Sequence, residues 1–146
     1  MQATLDRLEA ALRAARGRLD AIGEEQAGGR PAGMTWSRKQ LLGHLIDSAS
    51  NNHQRFVRSQ LAPAISFPPY EQDGWIRAQG YEERRWADLV ELWHSYNRHL
   101  LHVMSRVPVS ALANECVVQE DEPTTLRHHM TDYVVHLEHH LGQILA

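Results

Sequence analysis

The sequence is poor in cysteine and in long apolar runs, and each shortage excludes a class of protein. Its single cysteine, Cys116, cannot form a disulfide within the chain, which fits a reducing cytoplasm. No apolar run approaches the ~20 residues that a transmembrane helix needs. The first residues also lack the charged-then-apolar layout of a signal peptide. We therefore expect a cytoplasmic protein that does not act in a membrane.

Positive charge is scarce as well. The chain has 15 lysines and arginines against 18 acidic residues, a formal net charge of -3, and its basic residues form no local cluster. Proteins that bind nucleic acid carry a basic patch or stripe. We expect a small-molecule substrate and no nucleic-acid partner. The length of 146 residues suits one domain, residues 1–146, with its own core.

Four segments carry the apolar spacing of amphipathic helices, and no segment has the alternation of a half-buried strand. Steps of three and four between apolar residues predict helices over about residues 3–22, 35–61, 83–106 and 124–144. Thr35 or Ser37 is expected to cap the second helix, and Thr124 or Thr125 the fourth. The pattern predicts an all-α fold, a four-helix bundle with long connections after the second and third helices.

Glycine and proline mark the connections between these helices. Residues 27–33 read as a flexible link, and residues 108–123 as an irregular stretch. Residues 62–81 form a connection of a length that is uncommon in a compact domain, and such loops are often lids or binding loops. We expect this loop to pack over the bundle, because its aromatic side chains would be costly to expose: Phe67, Tyr70, Trp75 and Tyr81.

Ten histidines stand out against this ordinary composition. His136 and His140 are four residues apart, so they project from one face of the fourth helix. His44 lies at the border of the apolar face of the second helix and meets them if the two helices are neighbours. Three neutral imidazoles with positions left for water are typical of a catalytic metal site. Taken alone, an H-x-x-x-H pair equally fits a solvated helix face, and His44 fits a hydrogen-bonded residue at the core edge.

Two kinds of metalloenzyme are disfavoured by the residues between these histidines. The H-E-x-x-H protease motif needs glutamate directly after the first histidine, where this chain has Leu137. The inverted H-x-x-E-H motif needs glutamate directly before the second, where His139 stands. No pair of E-x-x-H motifs faces the site, which disfavours a di-iron centre.

Two polar residues near these histidines have more than one reading. Asp47 either orients a ligand histidine, holds a water molecule or faces solvent. Gln143 either donates to a substrate oxygen or completes the polar stripe of its helix. The other seven histidines are expected to be surface or structural residues: His53, His94, His99, His102, His128, His129 and His139.

Two blocks of the sequence resemble a known family. Residues 36–48, WSRKQLLGHLIDS, are similar to the W-s-x-x-(q/e)-x-x-g-H-l-x-D-s block on the second helix of DinB-like (YfiT-like) proteins, and residues 136–144 resemble their H-x-x-x-H-x-x-Q-I block. The order and spacing of the blocks agree too. The resemblance implies a four-helix bundle, often dimeric, with His44, His136 and His140 as metal ligands.

The resemblance leaves the reaction open. Relatives include metal-dependent hydrolases, thiol transferases that use bacillithiol or mycothiol, and a mycothiol-dependent isomerase. Relatives often have arginine or isoleucine between the second histidine and the glutamine, where this chain has Leu141 and Gly142, so the resemblance does not extend to a contact with an anionic substrate from that place. The alternative is a non-catalytic, stress-associated module that binds metal or ligand, or dimerises.

We therefore expect a mononuclear metal enzyme that activates water or a thiol against a small molecule, with Asp47 or Gln143 orienting the nucleophile. The cofactor would be one divalent transition metal. Zinc and nickel are the first choices and iron, manganese and cobalt the alternatives, because nitrogen ligands suit all of them. A low-molecular-weight thiol is the alternative cosubstrate. A homodimer is the expected assembly.

Overall fold

Four long helices dominate the computed structural model, which describes residues 1–118 and 122–146. They are α1 (Gln2–Asp20), α3 (Arg38–Arg58), α5 (Trp86–Ser105) and α6 (Leu126–Ile144). Two shorter helices lie in the connections, α2 (Glu24–Gly28) and α4 (Gln72–Gln79). The long helices match the four predicted from apolar spacing, and their ends differ from the predicted ends by at most three residues.

The four long helices pack in a ring in which α3 contacts α5 and α6, and α1 contacts the same two helices. Their apolar stripes meet in one core that contains the large side chains of Trp93, Phe56 and Leu8. The buried ring of Phe56 on α3 meets that of Tyr133 on α6 edge-to-face, with ring centroids 5.7 Å apart. This contact joins the two helices that carry the candidate ligands.

Side-chain hydrogen bonds show which of the two predicted residues caps the N-terminus of each helix. Ser37 caps α3: its hydroxyl accepts from the backbone N–H of Gln40, and the Gln40 side chain accepts from the backbone N–H of Ser37. Thr125 caps α6 by accepting from the backbone N–H of His128. These bonds fix where both helices begin.

The prediction of a purely α-helical fold is wrong in one respect, because the connections form a small sheet. Strand β1 (Ala64–Phe67) pairs in parallel with β2 (Glu115–Val118), which pairs antiparallel with β3 (Thr124–Thr125). In the register, Cys116 lies opposite both Ile65 and Thr124. Segments this short carry too few residues for an alternating pattern, and the parallel pairing has no hairpin turn to announce it.

The connections are also more ordered than their glycines and prolines indicate. The link that follows α1 contains α2, and the 62–81 connection contains β1, α4 and a 3-10 turn at Tyr81–Glu83. The stretch after α5 contains a second 3-10 turn, Val109–Ala113, before β2. Residues 119–121, which also belong to the stretch predicted as irregular, lie outside the described residues.

The aromatic side chains of the 62–81 connection pack against the bundle, as predicted, with one exception. Phe67 and Tyr81 are buried and Tyr70 is half-buried. Trp75 keeps 37% of its surface exposed and stacks against Tyr70, with ring centroids 5.0 Å apart. Cys116 in β2 is buried, and that burial raises the pKa of its thiol. None of the described helices is both long and apolar enough to cross a membrane.

A close approach of backbone to ring explains one glycine on α3. A Cβ atom placed on Gly43 would lie 2.2 Å from Cδ2 of Tyr81, well inside van der Waals contact. The absent side chain therefore lets the Tyr81 ring lie directly on the helix, next to His44. Tyr81 in turn anchors the end of the long connection.

We expect Gly43→Ala to destabilise the protein by about 1–3 kcal/mol, because the added methyl group overpacks the Tyr81 contact. Urea denaturation measures the change. Gly17→Ala is the matched control, since Gly17 also lies inside a long helix but has nothing within 4 Å of an added Cβ. That control should be neutral or stabilising, because alanine favours the helix. A Gly43→Ala protein as stable as wild type would contradict the role given to this contact.

Candidate metal centre

His44 lies on α3 where the helix faces α6, and only 1% of its surface is exposed. The capping box at Ser37 sets the start of the helix, and His44 follows two turns later. The half-buried Trp36 packs on the imidazole with ring centroids 5.2 Å apart. The indole N–H of Trp36 donates to Asp73 of α4 over 3.0 Å. The imidazole is therefore held by its own helix and by the neighbouring connection.

His136 and His140 project from α6 toward His44, as their spacing predicts. The three ring centroids lie 4.5–5.0 Å apart. One nitrogen from each ring lies within 4.8 Å of the others, and Nε2 of His44 lies 3.0 Å from Nε2 of His136. Within residues 1–118 and 122–146, this is the group of three side chains arranged to hold a metal ion.

Burial keeps these imidazoles neutral. Loss of hydration, with a smaller contribution from the neighbouring histidines, lowers the pKa of His44 to about 3 and that of His136 to about 4. The pKa of His140 is lowered for the same first reason. At neutral pH each ring therefore offers an unprotonated nitrogen, which is the form that binds a metal.

The arrangement fits a divalent transition metal. Two neutral imidazoles whose Nε2 atoms lie 3.0 Å apart need a proton or a cation between their lone pairs. The other ring nitrogens of these two residues, His44 Nδ1 and His136 Nδ1, are buried with no hydrogen-bond partner among the described residues. Two nitrogens bound at ~2.0–2.1 Å to one zinc ion lie within about 4 Å of each other, and the 3.0 Å separation satisfies that limit.

Gln143 fixes the third ring. Its Oε1 lies 2.7 Å from Nδ1 of His140, so Nδ1 carries the proton and donates, and Nε2 of His140 is left with its lone pair. The amide N–H of Gln143 donates to Nε2 of His139 over 3.0 Å. Outer partners of this kind orient metal-binding histidines. Gln143 lies one helical turn beyond His140 and contacts the ring of that candidate ligand. It does not contact the space on the metal-binding side of the three histidines.

Asp47 lies on α3 but belongs to a separate hydrogen-bond network. Its Oδ1 accepts from the hydroxyl of Tyr81 over 2.6 Å and from the amide of Gln79 over 2.5 Å. Its Oδ2 is buried with no partner among the described residues. Burial raises the pKa of this carboxyl, although the two hydrogen bonds act in the opposite direction. In the structure Asp47 ties the end of the long connection to α3.

A polar cavity of about 240 Å³ opens beside the histidines. His136 lines it from α6, so a molecule in the cavity contacts the candidate centre. The wall from α3 comprises Ser48, Asn52 and Arg55, the wall from α6 also includes His129, Asp132 and Tyr133, and the connections contribute Pro69, Tyr70, Gln72 and Val118. The site therefore combines a metal-binding corner with room for a small molecule.

Several of these cavity residues were not singled out from the sequence as functional. Ser48, Asn52 and Arg55 follow His44 at steps of four, four and three, which places all of them on one helix face, so a signal was present. Tyr70 comes from the segment between β1 and α4, where no periodicity points to it. His129, expected to be surface or structural, donates from Nε2 to the carbonyl of Cys116, and the hydroxyl oxygen of Thr124 accepts from the same N–H.

In this helical bundle, two helices bring three neutral histidines together beside a polar cavity. Such a fold and site define a class of candidate metal-binding bundles. Residues 7–144 match the sequence model of the DinB superfamily. The chain belongs to the DinB superfamily, as its two sequence blocks predict. No curated protein sequence matches the chain.

Two solved proteins share the fold. YfiT from Bacillus subtilis, described as a probable metal-dependent hydrolase with an unusual four-helix bundle topology, has a TM-score of 0.88 at 18% identity over 98% of this chain and 82% of its own. The mycothiol-dependent maleylpyruvate isomerase has a TM-score of 0.82 at 11% identity over 98% of this chain. This chain spans 60% of the length of that isomerase. At these identities the likeness is one of fold.

We expect Asp47→Asn to raise the midpoint of thermal unfolding at neutral pH. The pKa of Asp47 is higher in the folded chain than its ordinary value of 3.8, so the folded state binds the proton more tightly and loses stability as the pH rises through that value. The amide keeps an acceptor for Tyr81 without the buried charge. The gain should be small below about pH 4 and should grow above it.

Calorimetry at a series of pH values measures this difference. Asp6→Asn is the control, because Asp6 is exposed and accepts one hydrogen bond from Gln2, which asparagine also accepts. A midpoint that falls in Asp47→Asn at neutral pH would show that the ionised carboxylate is needed for the Tyr81 contact.

Proposed function

We propose that the protein is a mononuclear metal-dependent enzyme that acts on a small molecule, with His44, His136 and His140 as the metal ligands. The observation that carries this proposal is the convergence of three neutral imidazoles, with two Nε2 atoms 3.0 Å apart, at the edge of a cavity. One divalent transition metal would suit these nitrogen ligands, zinc or nickel first, and iron, manganese or cobalt next. A divalent ion held there supplies Lewis acidity, which lowers the pKa of a water molecule or a thiol toward neutrality.

The residues of the chain would divide the remaining work. Gln143 accepts from Nδ1 of His140 and so directs Nε2 of that ring toward the other histidines. Trp36 covers one side of His44 and limits water there. The cavity holds the substrate against His136, with Tyr70 as one wall. Asp47 is a positioning residue in this scheme, because its hydrogen bonds hold Tyr81 and Gln79 and not the nucleophile.

The reaction would be either hydrolysis or transfer of a thiol to an electrophile. The description of YfiT as a probable metal-dependent hydrolase supports water as the nucleophile, and the mycothiol dependence of the isomerase supports a low-molecular-weight thiol. We further propose a cytoplasmic homodimer, since the single cysteine fits a reducing cytoplasm and the family resemblance implies a dimer. The alternative function is a non-catalytic metal- or ligand-binding module, which would fill every coordination position with protein groups.

Metal content tests the ligand assignment directly. Untagged wild-type protein should contain about one equivalent of a transition metal by elemental mass spectrometry. His140→Ala should lose it, because two nitrogens no longer close the site. His128→Ala is the matched control on the same helix, since His128 is exposed and lies outside the cluster, and it should keep the metal. No metal in wild type, even after loading with zinc and nickel, would overturn the proposal.

Turnover separates the enzyme from the binding module. Metal-loaded protein should accelerate either the hydrolysis of p-nitrophenyl acetate or the reaction of cysteine with 1-chloro-2,4-dinitrobenzene, and chelator-treated protein and His140→Ala should lose most of that rate. A bound metal that activates the nucleophile contributes several powers of ten in rate, so removal of the metal should reduce the rate by at least ~100-fold. Equal rates with and without metal in both assays would favour the binding module.

A further inference from the structure

Arg55 is the one lysine or arginine among the described residues that line the cavity beside His136. It lies on α3 on the same helix face as His44, about three turns further along, and its side chain is half-buried. A cation inside a concave polar site attracts anions more strongly than a cation on an open surface, because solvent screens it less.

One buried neighbour accepts a hydrogen bond from the guanidinium. Asn52, which is buried, accepts from Nη1 of Arg55 over 3.4 Å through its Oδ1. The amide of Asn52 donates to the Ser48 carbonyl over 2.9 Å, which sets the side chain in that orientation. Asn52 thus presents an acceptor to the arginine and holds it along the cavity wall.

Most of the hydrogen-bonding capacity of Arg55 remains available. A guanidinium carries five N–H donors in a planar fork that matches a carboxylate. Across residues 1–118 and 122–146, Asn52 accepts the single side-chain hydrogen bond that Arg55 donates, and no carboxylate oxygen lies within 4.0 Å of it. The hydroxyl of Tyr70 and the ring of His129 lie on the same cavity and carry no negative charge at neutral pH.

We infer that Arg55 binds the carboxylate of a small anionic ligand in this cavity and so selects carboxylate-bearing molecules for the proposed metal centre. The inference rests on the proposed function, since it places the reacting end of the ligand at the histidines. The geometry behind it is the shared cavity: one molecule that fills it contacts both Arg55 and His136. Arg55 is thereby a specificity residue and not a metal ligand.

Asp132 is the opposing charge in the same lining. Its side chain is exposed on α6, so water screens its field, whereas Arg55 is half-buried on the facing helix. The carboxylate of a ligand would therefore turn toward Arg55 and away from Asp132. Removal of the Asp132 charge should tighten the binding of an anion. This is a second testable change, opposite in sign to the loss expected when the Arg55 charge is removed.

The test compares two probes that differ in charge alone, mercaptoacetate and its neutral amide, mercaptoacetamide. Isothermal titration calorimetry follows their binding to the full chain, both loaded with cobalt and free of metal. Wild type should bind mercaptoacetate at least ~10-fold tighter than the amide, and Arg55→Met should lose this preference. Asp132→Asn should increase it. Arg55→Lys should keep a part of it, because an ammonium pairs with a carboxylate as a point charge.

Arg58→Met is the matched control. Arg58 lies one turn further along α3, outside the cavity lining, over the ring of Phe67. Arg58→Met removes one positive charge from the same helix, as Arg55→Met does, and should leave the preference for mercaptoacetate over its amide unchanged. Circular dichroism on each variant establishes that it is folded.

The outcomes separate this inference from the proposed function. An equal preference in wild type and Arg55→Met, or no preference in wild type, overturns the role of Arg55 and leaves the metal site untouched. Failure of wild type to bind cobalt overturns the proposed function, and the titration of metal-free protein then still decides whether Arg55 selects the carboxylate.

Discussion

The packing of α3 against α6 is the constraint on which the candidate site depends. The two helices are separated in the sequence by the whole of α5 and two connections, yet His44 reaches within 3.0 Å of His136 because Phe56 and Tyr133 hold the helices together further along. The cost of bringing three imidazoles out of water is met by the apolar contacts of the rest of the interface. The histidines lie at its edge, where the core ends and the cavity begins, and this position leaves them buried but accessible from one side.

The same interface organises the polar residues around the site into two groups. On the cavity side, Ser48, Asn52 and Arg55 form an ordered ladder down α3. On the other side, Asp47 and Tyr81 connect the helix to the long connection, and Gly43 makes room for the ring. His44 lies between the groups. The turn of α3 around His44 therefore supplies a metal-binding face. Neighbouring residues of the same helix supply a ligand-binding face and an anchor for the long connection.

Much of this arrangement follows from the sequence, and the exceptions have physical reasons. Apolar spacing locates the four long helices, since a 3.6-residue repeat sustained over twenty residues is a strong signal. The spacing of His136 and His140 places both rings on one face without any knowledge of the fold. Tertiary packing decides the rest: Val57 carries the apolar spacing of α3 yet is 38% exposed, although Phe56 directly before it is fully buried. The direction of Asp47 depends on Tyr81, more than thirty residues away, and no local pattern encodes that contact.

The small sheet joins segments that are distant in the sequence and borders the cavity. Strands β1 and β2 pair residues about fifty positions apart, whereas the hydrogen bonds of each helix join residues four apart. Joining distant residues costs loop-closure entropy, and the sheet bears this cost as the contact of α3 with α6 does. Pro69 and Tyr70, which follow β1, and Val118, the last residue of β2, close one side of the cavity. The shape of the space in front of His136 therefore depends on the pairing of β1 with β2 as well as on the packing of the four long helices.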